Sequence, residues 1–380
     1  MNKPIYLDYA ATTPVDPRVA DKLVQHLMMD GVFANPASRS HMYGWQAEAA
    51  VENARKQVAK VFNADTREIV WTSGATESNN LAIKGVAEAR QDWGKHLITS
   101  QSEHKAVIDC FKYLETKGFR VTWLKPDSNG VVAAEDVLSA ICDDTILISL
   151  MHVNNETGVI TDVYKIANIA KARDIVFHID AAQSAGKLVL DTQVLAADLI
   201  STCAHKIYGP KGVGCLYVRR NADFILPAQI HGGGHERGMR SGTLPTHQLV
   251  AMGEAFAIAQ DNMENEQADI LRLKHLFLDG LGKVDFKING DINKTVSGIL
   301  NLSFPGKDGQ ILLSALPGLA ISSGSACTSA SMLPSHVLAS MGLSDDEALA
   351  SLRFSFGRFT SEEDVCSAAK MLSTVLSKMA

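Results

Sequence analysis

The sequence predicts an α/β fold with a mostly parallel sheet, and two features of its pattern support this. In the middle of the chain, short apolar runs alternate with stretches of helical periodicity, as they do where crossover helices join parallel strands. Several of the runs consist largely of Ile, Val and Leu, the composition of strands that are covered on both faces. The chain has 380 residues, 46% of them hydrophobic, which allows a large core and favours two domains.

Seven apolar runs are the predicted strands of this sheet. They cover residues 68–72, 96–100, 120–124, 145–152, 175–180, 198–203 and 214–219. Helical patterns separate them, and the clearest of these lie at 78–90, 105–116 and 163–172. The strands and helices therefore alternate as a layered α/β domain requires.

The character of the sequence changes after about residue 260. A charged helical stretch at 262–281 is followed by strand-like pieces at 297–304 and 319–322, a Gly/Ser-rich loop and a closing helix at 361–379. We therefore predict a large domain at 16–260 and a smaller α+β domain at 261–380. Residues 1–15 are predicted to form an N-terminal arm that packs on the smaller domain.

Composition excludes several classes of function. The net charge of −6 and the absence of clustered Lys and Arg argue against direct binding of nucleic acid. No run approaches 18 apolar residues, and the start of the chain lacks the apolar core of a signal peptide. The six cysteines lie far apart without a CxxC pair, which is typical of free thiols in a cytoplasmic protein.

The first group with chemical potential is the segment HIDAAQ, which contains Asp180 and Gln183. Asp180 comes at the carboxyl end of a predicted strand, where open α/β sheets bind their ligands. A carboxylate there can keep a pyridine nitrogen protonated, as pyridoxal phosphate (PLP) requires to accept electrons. The ordinary alternative is an Asp that caps a helix or forms a turn.

The second group is AHKIYGPKG, in which Lys206 follows a strongly apolar strand. Burial lowers the pKa of a lysine and suits it to form a Schiff base with a carbonyl group. The alternative is a surface lysine on a Gly/Pro-rich turn, which is our interpretation of Lys211 in the same segment.

The third group is TSGATESNN, between a predicted strand and a predicted helix. Small hydroxyl residues at a helix N-terminus, here around Thr76, leave backbone N–H groups free to bind an anion such as phosphate. The same residues also serve as ordinary helix caps.

The fourth group is SSGSACTS, where Cys327 stands alone among Gly, Ser and Ala. Most cysteines lie in a core, but this composition predicts a loop from which a thiol can reach a substrate and then a partner. A loop thiol without a function is the alternative.

The fifth group is HGGGHERGMRSGT, which contains His231, His235 and Thr243. A run of three glycines fixes two metal ligands poorly, and no HExxH or cysteine-rich partner accompanies them. We predict no metal here, and instead an anion-binding loop or a subunit contact.

Taken together, the motifs resemble one family. TSGATESNN, SEHKAV, NNETG, HIDAAQS, HKIYGPKG, RSGT, SSGSACTS and RFSFGRFT occur in the order seen in cysteine desulfurases of the bacterial NifS/IscS-like type, within the class-V aminotransferases. The resemblance runs from LDYAATTP to RFSFGRFT. It implies a fold-type-I PLP enzyme with a seven-stranded sheet that works as a homodimer and takes L-cysteine as substrate.

The resemblance also implies roles for individual residues. Lys206 would hold PLP as a Schiff base, His104 would stack on the ring and move protons, and the thiol of Cys327 would take the sulfur as a persulfide. Asp180 would pair with the ring nitrogen and Gln183 with the ring hydroxyl. The other implied ligands are Ala75, Thr76, Cys203, His205 and, from the second subunit, Thr243 for the cofactor, Asn155 for cofactor and substrate, and Asn35 and Arg353 for the substrate.

Two departures from the family pattern bear on function. Cys203 stands where relatives have Ser or Thr near the phosphate. The sequence ends soon after Lys378, whereas many members carry a further tail that docks an iron–sulfur scaffold protein. The acceptor of the sulfur therefore stays open between iron–sulfur cluster assembly, tRNA thiolation and DNA phosphorothioation.

Three rival functions remain at this stage. A class-V aminotransferase or a selenocysteine lyase would share the fold, and a catalytically silent scaffold would share the partners. An aminotransferase has no need of a reactive cysteine on a loop, and a silent scaffold would bind no cofactor.

Overall fold

A seven-stranded sheet forms the centre of the larger part of the protein. The computed structural model describes residues 3–220, 224–323 and 333–379. In that part of the chain the strands are β1 (Ile5–Tyr6), β2 (Ile69–Thr72), β3 (His96–Ser100), β4 (Arg120–Leu124), β5 (Thr145–Met151), β6 (Val176–Asp180), β7 (Leu199–Cys203), β8 (Gly214–Val218), β9 (Lys287–Ile288), β10 (Ile299–Ser303), β11 (Leu319–Ala320) and β12 (Ser351–Ser355).

Helices cover the sheet and build most of the remainder. Those in the described residues are α1 (Pro17–Val24), α2 (Met42–Val61), α3 (Ala75–Ala89), α4 (Lys105–Glu115), α5 (Ala134–Ala140), α6 (Val163–Lys171), α7 (Thr246–Leu281), α8 (Gly309–Ser314), α9 (His336–Ser340), α10 (Asp345–Leu349) and α11 (Glu362–Lys378).

The main sheet has the order β2-β8-β7-β6-β5-β3-β4. Strands β4, β3, β5, β6 and β7 run parallel, and β8 is antiparallel to both β7 and β2. The predicted fold class is therefore confirmed, and each of the seven predicted strands lies within one residue of its expected bounds.

Both faces of this sheet are covered, which explains the apolar runs. Leu97 and Ile98 are neighbours on β3, yet they belong to two different core clusters, because successive side chains of a strand point to opposite faces. All seven residues of β5 are buried. A strand in this position has no solvated face, so its sequence does not alternate.

A second core lies around a three-stranded antiparallel sheet of the order β12-β10-β9. Its centre is Phe277 of α7, whose ring lies 4.8 Å from that of Phe354 and 5.6 Å from that of Phe356, centroid to centroid. Strand β1 pairs with β11 in a separate two-stranded parallel sheet.

Helix α7 connects the two cores, and it begins at Thr246 and not at residue 262 as predicted. The charged stretch predicted as a helix at 262–281 is the second part of a single 36-residue helix. Leu249 and Phe256 belong to the first core, whereas Leu273 and Phe277 belong to the second. The predicted domain division near residue 260 falls inside this helix. The division into two domains stays a prediction, which the two separate cores support. The packing of an arm at 1–15 on the smaller domain also stays a prediction.

Close packing of α7 on α2 depends on one glycine. A Cβ atom at Gly253 would lie 2.8 Å from the Cα atom of Ala54, which is closer than real Cβ atoms approach backbone. The two helices therefore pack closely where both carry small residues, and α7 continues through this contact without a break. None of the helices in the described ranges is both long and apolar enough to cross a bilayer.

His178 occupies the middle of the main sheet as a neutral side chain. Its Nδ1 lies 2.8 Å from the Ser149 hydroxyl and its Nε2 lies 2.8 Å from the Ser201 hydroxyl. Burial lowers its pKa from 6.5 to about 3. Because the pKa is lower in the folded protein, the stability that the neutral ring contributes is complete above pH 6.5 and is lost as the pH falls towards 3.

We therefore predict that His178→Gln makes the unfolding free energy less dependent on pH below about pH 7. Between pH 8 and pH 5 the wild type should lose about 2 kcal/mol more unfolding free energy than the variant, because unfolding releases an imidazole that takes up a proton. Denaturant unfolding at several pH values measures this. His275→Asn is the control, since His275 is exposed. Equal pH slopes for wild type and His178→Gln would contradict the assignment.

Candidate active site

A cavity of about 600 Å³ opens where the carboxyl ends of β6 and β7 meet the start of α3. Ten of the residues predicted for the site line it: Ala75, Thr76, His104, Asn155, Asp180, Gln183, Cys203, His205, Lys206 and Arg353. Sequence positions from 75 to 353 are thus brought to one place by the sheet topology.

Two predicted residues that the structure describes do not line this cavity. Asn35 and Thr243 are exposed and are absent from its lining. Cys327 lies outside the described residues.

The first turn of α3 forms one end of the cavity. Gly74 precedes it with φ of 150° and supplies no side-chain cap, so the backbone N–H groups of the turn face the cavity without an intrahelical acceptor. Ala75 and Cys203 both line this end of the cavity. A helix N-terminus of this kind binds phosphate.

Positive charge surrounds the same end of the cavity. The pKa of His205 is lowered to about 4 by burial and by the nearby charges of Lys206, Lys211 and Lys187. The imidazole is therefore neutral, and it meets the Thr12 hydroxyl at 3.2 Å. Lys206 and Lys211 line the cavity itself, and positive charge placed there favours an anionic ligand.

Arg240 connects the glycine-rich segment HGGGHERGMRSGT to the start of α3. Its guanidinium donates to Glu77 in the first turn of α3, at 2.8 Å. Neighbouring Glu236 is buried and accepts two hydrogen bonds from Arg55, at 2.7 and 2.9 Å. The described residues hold no group of three or more His, Cys, Asp or Glu side chains that could bind a metal ion.

The carboxylate of Asp180 is buried at the end of β6 and held in one orientation. Its Oδ2 accepts from the side-chain amide of Asn79 at 2.7 Å, and its Oδ1 accepts from the backbone N–H of Ala182 at 2.9 Å. Asn79 comes from α3, so this contact also ties the helix to the sheet. A fixed buried carboxylate suits a protonated ring nitrogen.

Lys206 follows β7, and its amine turns towards the N-terminal segment. The Nζ donates to the backbone carbonyl of Ala10 and, at 2.7 Å, to that of Ala11. Gln183 donates to the same Ala10 carbonyl at 2.8 Å. One stretch of backbone therefore positions two of the predicted cofactor ligands.

His104 caps helix α4, and this fixes its tautomer. The Nδ1 accepts from the N–H of Ala106 at 3.1 Å. A nitrogen that accepts carries no proton, so in the neutral ring the proton is on Nε2. The ring itself lines the cavity.

Arg353 projects from β12 and is 1% exposed. Its Nη2 lies 2.7 Å from Oδ1 of Asp8, and its Nη1 donates to the backbone carbonyl of Asn155 at 2.8 Å. Among the described residues its Nε finds no acceptor, and neither does the Asn155 Oδ1 find a donor. Unpaired buried groups of this kind are typical of a site that a polar ligand completes.

Glu103 is a buried carboxyl group that the sequence did not single out. Burial, with the charge of Asp180 adding to it, raises its pKa well above the ordinary value, although its Oε1 accepts from the N–H of Met151 at 2.8 Å. The backbone carbonyl of Glu103 also contacts the Nε2 of His336, at 2.9 Å. Its position next to His104 in SEHKAV was the available signal.

These residues fit PLP. The cofactor needs an anion site for its phosphate, a carboxylate for its ring nitrogen and an amine for its aldehyde. The N-terminus of α3, Asp180 and Lys206 offer these three groups around one cavity. The volume is within the usual range for cofactor sites.

Comparison with known proteins defines the class first. A family model described as aminotransferase class-V matches residues 5–367. The chain therefore belongs to the class-V aminotransferases, a PLP-dependent family. A solved structure of a NifS-like protein superimposes with a TM-score of 0.92 at 34% identity, covering 99% of this chain and 100% of that one.

Relatives of higher sequence identity indicate which class-V enzyme the chain resembles. The cysteine desulfurase IscS of Vibrio vulnificus (strain YJ016) is 57% identical over 380 residues, which are 100% of this chain and 94% of the relative. A solved structure of SspA in complex with cysteine has a TM-score of 0.84 at 40% identity, covering 94% of this chain and 99% of that one. The chain belongs to the cysteine desulfurases of the class-V aminotransferase family, as the sequence motifs predicted.

Cys203 gives a test of the anion end. A hydroxyl donates more strongly than a thiol, so Cys203→Ser should add a hydrogen bond to a bound phosphate. With a gain on the order of 1 kcal/mol, PLP should dissociate about fivefold more slowly. Release of the cofactor to a trapping protein measures the rate, and thermal melting is followed in parallel.

Cys215→Ser is the matched control. Cys215 is buried in the core on neighbouring β8, so its substitution should lower the melting temperature and leave PLP release unchanged. If Cys203→Ser behaved in the same way, its side chain would belong to the core and the phosphate-facing assignment would be wrong.

Proposed function

We propose that this cysteine desulfurase removes the sulfur of L-cysteine at the cavity between β6, β7 and α3, transfers it to Cys327 and releases L-alanine. The observation that carries the proposal is the convergence of Lys206, Asp180, His104 and Arg353 on one cavity. We also propose that the protein is a homodimer and that it acts in the cytoplasm. The five free cysteines in the described residues accord with a reducing compartment.

Arg353 would bind the carboxylate of the substrate. A guanidinium presents a planar fork that matches a carboxylate, and its Nε has no acceptor among the described residues. Asp8 and the Asn155 carbonyl hold the other end of the guanidinium. The substrate would thus meet a group whose orientation is already fixed.

Lys206 and His104 would hold and move the α-proton. When bound, PLP stabilises the negative charge that develops at the α carbon of an attached amino acid. Both side chains line the cavity in which that carbon would lie. The Nδ1 of His104 is occupied by its cap contact, so its proton exchange would take place at Nε2.

Cys327 would take the sulfur as a thiolate, the nucleophilic form of cysteine. Its sulfur forms a bond to the sulfur of L-cysteine while the bond from that sulfur to the β carbon breaks. The electron pair stays with the carbon, which takes up a proton and leaves as the methyl group of alanine. The two sulfur atoms of the new bond are each oxidised by one electron, and the β carbon is reduced by two. Cys327 then carries a persulfide, whose outer sulfur an acceptor protein receives.

The acceptor would belong to one of three classes. An iron–sulfur assembly protein, a tRNA-thiolating enzyme and an enzyme of DNA phosphorothioation each consume persulfide sulfur. A pull-down with the persulfide-loaded enzyme, followed by mass spectrometry, identifies the class.

Cys327→Ser tests the proposal. The variant should bind PLP and L-cysteine like the wild type, yet release sulfide with a reductant at less than about 1% of the wild-type rate, because a hydroxyl does not replace the thiolate. Cys366→Ser is the control, since Cys366 is exposed on α11. Wild-type turnover by Cys327→Ser, or a persulfide mapped to Cys366, would overturn the assignment.

Subunit mixing tests the proposed dimer. Lys206→Ala and Thr243→Ala should each be inactive, and mixed dimers should regain activity, because one of the two sites then contains both native residues. Up to about a quarter of wild-type activity is expected from a statistical mixture. No recovery after subunit exchange, verified by native mass spectrometry, would show that Thr243 does not act across the interface.

A further inference from the structure

A second amine lies close to Lys206. Lys187 follows β6 in the segment HIDAAQSAGK, and it lines a small cavity of about 20 Å³ that Lys206 lines as well. Lys206 also lines the large cavity, so it stands between the two. The small cavity is large enough for about one water molecule. Its further polar walls come from Tyr9, Thr13, Tyr208, Glu266 and Gln267.

A short chain of hydrogen bonds connects the two lysines. The Nζ of Lys187 donates to Oε1 of Gln183 at 3.4 Å, and Nε2 of Gln183 donates to the Ala10 carbonyl at 2.8 Å. That carbonyl also accepts from the Nζ of Lys206. An ammonium group at one end of the amide and a carbonyl at the other leave Gln183 a single favourable orientation.

No carboxylate neutralises Lys187 directly. In the described residues it forms no salt bridge, and Glu266, which faces it from α7, lies 2.8 Å from the guanidinium of Arg358. Burial and the charge of Lys206 lower the pKa of Lys187 to about 8, against smaller opposite effects of Cys203 and Glu266. Keeping an amine here is costly, since burial without a counterion disfavours the charged form. The other titratable groups around it are Tyr9, Tyr208 and His205.

We propose that Lys187 is a positioning residue of the cofactor site, a buried cation that fixes the amide of Gln183 and opposes protonation of the Lys206 nitrogen. Like charges act on each other reciprocally, so an ammonium at Lys187 disfavours a second positive charge at Lys206. The nitrogen that joins Lys206 to the cofactor would then lose its proton at a lower pH. The inference rests on the proposed function, because it assigns that nitrogen to PLP binding.

The test is the pH dependence of the visible absorption of the purified holoenzyme, read without substrate. Lys187→Met removes the charge and keeps the length of the side chain. Its absorption change should have a midpoint on the order of one pH unit higher than that of the wild type, because protonation of the Lys206 nitrogen is no longer opposed. Lys187→Arg keeps the charge and should stay within a few tenths of a unit of the wild type.

Lys274→Met is the matched control. Lys274 is another buried amine without a carboxylate partner in the described residues, and it donates to the Thr295 hydroxyl and the Val296 carbonyl. Burial lowers its pKa to about 8 as well. Its substitution removes a similar charge away from the cofactor cavity and should leave the midpoint unchanged.

Each outcome decides the inference. An unchanged or lower midpoint in Lys187→Met, or an equal rise in Lys274→Met, would overturn it. Lys187→Gln carries the same expectation as Lys187→Met and replaces it where the latter does not fold. The wild-type protein should show a visible absorption band and, after borohydride reduction, a cofactor adduct on Lys206. Absence of both would overturn the proposed function itself, so failure of the proposed function and failure of this inference can be told apart.

Discussion

The site depends on one stretch of backbone, residues 7–13, that runs between the two cores. Asp8 pairs with Arg353, and the N–H of Ala10 donates to the Ser355 hydroxyl at 2.8 Å, so β12 is held from this side. The carbonyl of Ala10 accepts from Gln183 and Lys206 on the other side. The residues expected to bind cofactor and substrate are thus oriented by the same few peptide groups. A displacement of this segment would disturb both halves of the site at once.

Burial of Arg353 illustrates why such a segment is needed. A guanidinium that is almost fully buried loses its hydration, and removing a partner from a buried charge costs several kcal/mol. Asp8 supplies a carboxylate and the Asn155 carbonyl a second acceptor. The pairing lets an arginine remain charged in the interior with one edge towards the cavity. Under the proposed function, the substrate carboxylate would meet a guanidinium whose desolvation has already been offset by the fold.

Local pattern and long-range contact were predictable to different degrees. Apolar runs located the seven strands of the main sheet within one residue, and their carboxyl ends located Asp180 and Lys206, because periodicity and strand ends are properties of neighbouring residues. The pieces predicted at 297–304 and 319–322 each differ from β10 and β11 by two residues at one end, and β12 was not predicted. The Asp8–Arg353 pair joins residues 345 positions apart, and the Asn79–Asp180 contact joins residues 101 apart. No periodicity encodes such pairs. The continuity of α7 was missed for a related reason, since a change of composition near residue 260 marks a change of core and not the end of a helix.

The charge balance of the cavity joins folding to chemistry. Burial lowers the pKa of His205, and the charges of Lys206, Lys211 and Lys187 lower it further, so its imidazole is neutral. Asp180 is held by Asn79 and a backbone amide. Folding therefore brings several amines close together, at an energetic cost that a bound anion would offset. A ligand that binds only the folded chain stabilises it in proportion to its affinity. The same positive charge that would favour a phosphate also makes an additional proton on any of these nitrogens less favourable. The proposed affinity for PLP and the proposed reactivity of Lys206 would then have one electrostatic origin.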